Sequence, residues 1–242
     1  GEYILFCREF DAKKALWEGA HSGLEGATSH YDADDAFPID DLDDILPGLL
    51  ENKTKVFYPM GSNLELDHNL LEWINHIRNQ SRSGIIAPGE LVSIALILHE
   101  MRLFKSTEEL KLMRRAAEIS ALAHIKAMKS CKPGLYEYQI EAEIIHHFID
   151  NGLRSVAYPS IIAGGKNACT LHYTENNSKL KNGDLLLIDA GAECDHYAAD
   201  ITRTFPISGR FNEAQKQLYQ LVLDAQTAAL EQIKPGLPWN SA

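Results

Sequence analysis

The sequence predicts a mixed α/β protein, because two kinds of residue pattern alternate along it. Short runs rich in β-branched and aromatic residues, such as YILFC at 3–7 and KVFYP at 55–59, are typical of strands. Longer segments with an apolar residue every three or four positions indicate amphipathic helices. From residue 155 onward, strand-like runs are separated by Gly and Asn, which favour turns.

Helix signals are clearest in the middle of the chain. The segment 64–80 has one apolar face, formed by Leu66, Leu70, Trp73, Ile74 and Ile77. Ser106 and Glu109 have the spacing of a capping box, which predicts that a long helix begins there and ends before Pro133-Gly134. Its apolar positions at helical spacing are Leu110, Met113, Ala117, Ala121, His124 and Met128.

Two further helices are predicted, over about 137–150 and from an Asn212 cap to just before Pro235. The first of them turns Ile140, Ile144 and Phe148 inward. The strand-like runs after residue 154 are SVAYPSIIA (155–163), TLHYT (170–174), DLLLIDAGAE (184–193) and HYAADITRTFPI (196–207). A change of pattern near 102–105 predicts one domain over 1–102 and a second over 103–242.

Lys-Pro-Gly-Leu occurs at 132–135 and again at 234–237, each time after a helix end. This internal echo predicts a duplicated unit of which the chain contains only the first half. Both ends look truncated, since a strand starts almost at residue 1 and a new helix is expected to begin after residue 238.

Composition excludes several classes of protein. The net charge is −11, with acidic residues dense between Asp32 and Asp44, which opposes binding to nucleic acid or to an anionic membrane. No apolar run approaches the roughly 20 residues that span a bilayer. The four cysteines are scattered without a CxxC pair, which is typical of reduced thiols in a cytoplasmic protein.

The stretch DLLLIDAGAECDHYAADITRTFP, residues 184–206, carries the strongest chemical signal. Asp189 ends an apolar run and Asp200 lies among apolar and β-branched residues, so both carboxylates are expected to be buried. In an antiparallel hairpin they could face each other at roughly 5 Å, where a divalent cation would relieve their repulsion. Two aspartates rarely complete a metal site, so His or Glu ligands are also expected.

A simpler interpretation of these residues stays open. Asp189 could cap the turn before Ala190-Gly191, and Asp200 could pair with Arg203. His172 could be a structural histidine or a proton shuttle beside a metal site. Tyr158 could be a core aromatic residue or a hydrogen-bond donor.

The block LHYTEN…GDLLLIDAGAECDHYAADITRTFP, together with HEMRLFKSTEELKLMRRAAEIS and KPGLYEYQIEAEI, resembles the pita-bread metallopeptidases, and most of all bacterial aminopeptidase P. The resemblance is strong over about 100–240 and loose before that. It implies a mixed α/β N-terminal domain followed by the first half of a pita-bread catalytic domain.

The resemblance also implies a function: hydrolysis of the N-terminal Xaa-Pro bond of peptides by a hydroxide that bridges two divalent metal ions, typically Mn²⁺. Asp189 would bind one ion and Asp200 would bridge both, while one His and two Glu ligands would be missing from this chain. His172 would contact substrate, Tyr158 would lie near the metals, and Thr202 would orient a ligand carboxylate.

LWEG at 16–19 resembles a family segment whose tryptophan, here Trp17, reaches a neighbouring subunit, which implies a homo-oligomer. Prolidase, which cleaves dipeptides with the same fold and metals, is the rival enzyme. A non-catalytic peptide-binding module is the rival from another class, but such relatives typically lose metal-binding residues, and both aspartates are present here.

Overall fold

The structure is a computed structural model that describes residues 2–238 and Asn240. The chain forms two compact units, divided between Phe104 and Lys105. The mixed α/β class predicted from the sequence is confirmed. Over the described residues, no helix has both the length and the apolar character needed to cross a membrane.

Parallel strand pairs and helices build the N-terminal unit. Strand β1 (Ile4–Cys7) pairs with β2 (Asp35–Pro38), and β3 (Lys55–Tyr58) pairs with β4 (Glu90–Ser93). The α-helices are α1 (Ala12–Glu18), α2 (Gly23–His30), α3 (Leu42–Leu50), α4 (Leu64–Asn79) and α5 (Ala95–Leu103). Short 3-10 turns lie at Ile39–Asp41 and Ser81–Ser83.

The apolar face predicted for α4 is confirmed. Leu70, Trp73, Ile74 and Ile77 are buried, and Leu66 is half-buried against the same cluster. The Asn63 side chain caps the helix by accepting hydrogen bonds from the backbone amides of residues 65 and 66. This face packs against α3 and the β3–β4 pair and forms the core of the unit.

Two helices pack against antiparallel strands in the C-terminal unit. The helices are α6 (Thr107–Ser130) and α7 (Glu137–Asp150). One sheet has the order β10 (Thr202–Pro206), β7 (Leu185–Asp189), β6 (Ile161–Gly164). A second has the order β5 (Ser155–Val156), β8 (Ala192–Cys194), β9 (Tyr197–Ala198), and helix α8 spans Glu213–Gln232.

The core of this unit lies between α6, α7 and the central strand β7. The inward residues predicted for α7 are confirmed, because Ile140, Ile144 and Phe148 are all fully buried. They share one cluster with Ile162 of β6 and with Leu186 and Ile188 of β7. Since β7 is hydrogen-bonded to β6 along one edge and to β10 along the other, the position of its last residue is well fixed.

Helix α6 begins at the predicted Ser106–Glu109 capping box, but most of the apolar positions singled out from the sequence are exposed; His124 is buried and Met128 is half-buried. The buried stripe consists of Ala116, Ile119, Ser120, Ala123, His124 and Ala127. Leu110 and Met113 are more than a third exposed. Small residues let the helix approach the sheet closely, so its larger apolar side chains face outward.

The predicted strand over TLHYT is also wrong. A 3-10 helix spans Gly165–Cys169, and residues 171–172 form a turn. The predicted strand runs at 155–163 and 196–207 are each broken in the middle, between β5 and β6 and between β9 and β10. The helix expected after residue 238 falls on Trp239, Ser241 and Ala242, which lie outside the described residues.

Gly191 lies opposite Asp200 in the continued β7–β10 ladder, at a point where the two chains approach closely. The backbone amide of Ala190 donates to Ile201 O (3.1 Å) and that of Ala199 donates to Ala192 O (2.9 Å), so the ladder register continues past the strand ends. A Cβ atom at residue 191 would overlap the carbonyl oxygen of Ala199. Only glycine therefore allows the two chains to approach this closely.

Gly191→Ala is expected to lower the free energy of unfolding by about 3 kcal/mol or more, because backbone atoms would have to separate to admit the methyl group. Urea unfolding followed by far-UV circular dichroism measures the change. Gly89→Ala is the control, since its Cβ would enter open space and Gly89 has no left-handed backbone angle. Equal effects of the two substitutions would contradict the close-approach argument.

Candidate metal centre

Asp189 and Asp200 project from one face of the β7–β10 hairpin as diagonal neighbours. Asp189 is the last residue of β7 and lies directly opposite Thr202 of β10. Asp200 lies two residues before Thr202, opposite Gly191 in the continued register. Contrary to what the sequence suggested, the two aspartates are therefore not directly opposite each other. They are diagonal neighbours on adjacent strands, which still places them side by side.

The hydroxyl of Tyr158 joins the two carboxylates. It donates to Asp189 Oδ1 at 2.6 Å and lies 3.1 Å from Asp200 Oδ1. Burial raises the pKa of Tyr158 well above its usual value, and the hydrogen bond and charge of Asp189, then those of Asp200, act in the same direction. The phenol therefore keeps its proton and acts as a shared donor between two anions.

The carboxylates are less enclosed than the sequence suggests. Asp189 is half-buried, whereas Asp200 is exposed, contrary to the expectation that both are buried. Within the described chain neither aspartate forms an ion pair. Arg203, the partner proposed for Asp200 in the simpler interpretation, instead donates to the carbonyl of Thr202 at 2.7 Å. The pairing alternative is thus not what the structure contains.

Hydrogen bonds from α6 hold the backbone between the two aspartates. His124 Nε2 donates to Ala190 O at 3.0 Å, and Ser120 Oγ accepts from the amide of Ala192 at 2.9 Å. The amide of Ala157 donates to Gly191 O at 2.9 Å, and this bond joins the segment that carries Tyr158 to the same backbone. Each polar contact at residues 190–192 therefore helps to place Asp189, Asp200 or Tyr158.

His124 and Ser120 were missed as parts of the site. Both are essentially fully buried. Burial lowers the pKa of His124, partly opposed by its bond to Ala190, so the ring is neutral and its Nε2 carries the proton. The available signal was two polar residues four positions apart on a helix face of small apolar residues, which indicates a polar partner on the facing element.

The remaining predicted site residues are His172, Thr202 and Trp17. His172 is exposed in the turn after the 3-10 helix, and no hydrogen bond or ion pair of its ring occurs within the described residues. Thr202 is brought opposite Asp189, but its hydroxyl has no hydrogen-bond partner in the described part of the chain. Trp17 is 89% exposed on α1 of the N-terminal unit.

The carboxylate pair has the donor chemistry for hard divalent metal ions. Tyr158 engages the Oδ1 atom of each aspartate, and the Oδ2 atoms accept no hydrogen bond from any described residue. Two anionic oxygens on one face suit Mn²⁺, Mg²⁺ or Zn²⁺. Across residues 2–238 and Asn240, no cluster of three or more His, Cys, Asp or Glu side chains is placed to hold a metal ion. The described residues thus fit part of a metal site.

Comparisons with known proteins match both parts of the chain. The family model described as aminopeptidase P, N-terminal domain, matches residues 1–58, and that of metallopeptidase family M24 matches residues 111–242. The Xaa-Pro aminopeptidase of Escherichia coli (strain K12) is 40% identical over 96% of this chain and 53% of its own length.

Solved structures give the same result. The aminopeptidase PepP of Pseudomonas aeruginosa is 54% identical with a TM-score of 0.95, over 100% of this chain and 55% of that one. A zinc-substituted E. coli aminopeptidase P in complex with product is 39% identical with a TM-score of 0.91, over 96% of this chain and 53% of that one.

The chain spans about half the length of the relatives it matches. The resemblance to aminopeptidase P that the 172–206 block indicated is confirmed, as is the pita-bread fold class. The M24 match covers more than half of the sequence and includes the hairpin that carries Asp189 and Asp200. The chain belongs to metallopeptidase family M24.

Proposed function

We propose that the protein containing this chain is a metal-dependent aminopeptidase that hydrolyses the N-terminal Xaa-Pro bond of peptides. The carboxylate pair bridged by Tyr158 carries the proposal, because it offers oxygen ligands within the region that matches the M24 family model. The names of its relatives support the substrate class. Residues 1–102 form the N-terminal aminopeptidase P-type domain in this proposal, and residues 103–242 belong to the catalytic domain.

Asp189 would hold one divalent ion and Asp200 would be shared by two, most favourably Mn²⁺. Bound there, the ions supply the positive charge that activates water and polarises the carbonyl before proline. Tyr158 engages the two Oδ1 atoms, so the Oδ2 atoms would be available as ligands. The remaining ligands, one His and two Glu in the resemblance, come from residues outside this sequence.

His172 stabilises the oxyanion that develops on the scissile carbonyl by donating a hydrogen bond to it. Its exposure fits this role, because a ring that contacts substrate must be reachable. Thr202 lies opposite Asp189 in the ladder, where its hydroxyl would be free to donate a hydrogen bond that orients a ligand carboxylate. The protein is proposed to be a cytoplasmic homo-oligomer in which Trp17, exposed on α1, contacts a neighbouring subunit.

Hydrolysis of a tripeptide with proline in second place tests the function. The natural full-length protein, prepared metal-free and supplied with Mn²⁺, is expected to release the first residue, and the same peptide with alanine in second place should stay intact. Cleavage of an Xaa-Pro dipeptide but not of the tripeptide would instead indicate prolidase. The 242-residue chain alone is expected to show no turnover, and turnover by it would contradict the proposal that ligands come from elsewhere.

Asp200→Asn is expected to cut the activity of the full-length protein to below about one hundredth and to reduce bound metal, because the bridging charge is lost. Elemental analysis measures the metal content. Asp195→Asn is the matched control, since Asp195 is exposed in the β8–β9 turn and Asn tolerates its left-handed backbone. Two metal ions per subunit in Asp200→Asn would exclude the bridging assignment.

His172→Ala is expected to lower kcat by about 100- to 1000-fold with bound metal unchanged, because an oxyanion donor acts in the transition state and not on the metal. Steady-state kinetics and elemental analysis together check this. His146→Ala, at an exposed position on α7, serves as the control. Loss of metal in His172→Ala would make the residue a ligand and not a donor to substrate.

A further inference from the structure

Glu137 is a fully buried carboxylate that the carboxylate pair does not use. It is the first residue of α7, where the helix N-terminus favours a negative charge. Its Oε1 accepts from the Gly164 amide at 2.8 Å and from Asn167 Nδ2 at 3.0 Å. Its Oε2 accepts from Tyr173 Oη and from the Ser178 amide, both at 2.8 Å. Four donors offset the cost of burying this charge.

All four donors come from one stretch of chain, residues 164–178. Asn167 Nδ2 also lies 3.1 Å from Tyr173 Oη and 3.0 Å from Ser178 Oγ, so the donors contact one another around the carboxylate. The Glu137 amide donates back to Ser178 O at 3.0 Å. The segment is thus folded around a single side chain of a neighbouring helix.

This segment has little regular structure of its own. Beyond the 3-10 helix Gly165–Cys169 it consists of turns and irregular chain up to residue 178. Its conformation therefore depends on side-chain hydrogen bonds, of which Glu137 receives four. Asn176 adds a second anchor by accepting from the Ile162 amide and donating to Ser160 O, each at 2.9 Å.

His172 lies inside the segment and directly precedes Tyr173. Tyr173 is held by its hydroxyl on Glu137, and burial raises the pKa of this phenol, so it remains a donor. Since a peptide bond links the two residues, the anchored ring of Tyr173 restricts where the backbone of His172 can lie. The exposed His172 ring is thereby attached to the buried core by the next residue along the chain.

We propose that Glu137 is a positioning residue for His172: its carboxylate holds the 164–178 segment in the one conformation that presents the His172 ring to substrate. The inference rests on the proposed function, in which His172 stabilises the oxyanion. Glu137 contacts neither Asp189 nor Asp200 through any hydrogen bond, so it acts on the donor arm of the site and not on the metal arm.

Two variants of the full-length protein test the inference. Glu137→Gln keeps the shape of the side chain but turns an amide NH₂ toward donors, so at least one pair of bonds is lost. Tyr173→Phe removes a single donor and leaves the other three, which protects the test if Glu137→Gln fails to fold. Tyr138→Phe is the matched control, because Tyr138 is half exposed and its ring stacks on Tyr136.

Kinetics give the first measurement. Glu137→Gln is expected to lower kcat by about 10- to 100-fold, with KM within about twofold and bound metal unchanged, because a displaced donor weakens only the transition state. Adding Glu137→Gln to His172→Ala should cause no loss beyond that of His172→Ala alone, because the ring that Glu137 positions is already absent. Losses that multiply in the double variant would show that Glu137 acts independently of His172, and the inference would be wrong.

The second measurement needs no activity. With ring-labelled histidine, the NMR signal of His172 is expected to shift in Tyr173→Phe and Glu137→Gln but not in Tyr138→Phe. The Ser178 amide should exchange with solvent about tenfold faster in the first two. An unmoved His172 signal would overturn the positioning inference. If His172→Ala leaves kcat unchanged while these signals move, the oxyanion role fails and the positioning of the ring stands.

Discussion

The hydrogen bond between Tyr158 and two aspartates is the contact on which the candidate centre depends. Two carboxylates brought together on one face of a hairpin repel each other, and the repulsion grows as water is excluded. One phenol hydroxyl, 2.6 Å and 3.1 Å from the two Oδ1 atoms, offsets part of that repulsion. It also leaves the second oxygen of each carboxylate directed away from the phenol.

That contact requires the backbone around Gly191 to be placed with little freedom. Tyr158 follows Ala157, whose amide is bonded to the Gly191 carbonyl, while Asp189 and Asp200 both lie within the same hairpin. His124 and Ser120 of α6 hold the same backbone by hydrogen bonds to Ala190 and Ala192. Hydrogen bonds from a buried helix face thus place the carboxylates of Asp189 and Asp200 through the backbone of residues 190–192. None of these three residues has a polar side chain.

The predictability of the molecule from its sequence follows the range of the interactions involved. The α4 and α7 faces show a strong apolar periodicity and the Ser106 capping box spans three residues, and all of these local signals were interpreted correctly. The buried stripe of α6 was not, because alanines form it and their periodicity is weaker than that of the exposed Leu and Met residues. Which stripe is buried depends on how closely the sheet approaches, and no local pattern encodes that distance.

The same reasoning applies to the site. The pattern of an apolar strand ending on aspartate, followed by a second aspartate, was sufficient to single out Asp189 and Asp200. Their diagonal offset depends on the pairing of Asp189 with Thr202, 13 residues away. The hydrogen bond from Tyr158 reaches Asp200 across 42 residues. A strand is predicted over TLHYT because β-branched and aromatic residues are typical of strands. In the structure, the Tyr173 hydroxyl instead donates a hydrogen bond to Glu137.

Asp189 and His172 are held in place by two different means. Asp189 lies at the end of β7, which pairs with β10 along one edge and with β6 along the other. Ladder hydrogen bonds and core packing therefore place its carboxylate. His172 lies in an irregular segment, where neither is present, and a comparable precision must come from side chains. A single buried carboxylate with four donors can supply it, because each bond fixes a different point of the segment. In its proposed role, the acidic residue in the apolar interior at the start of α7 does for the irregular segment what β7 does for the hairpin.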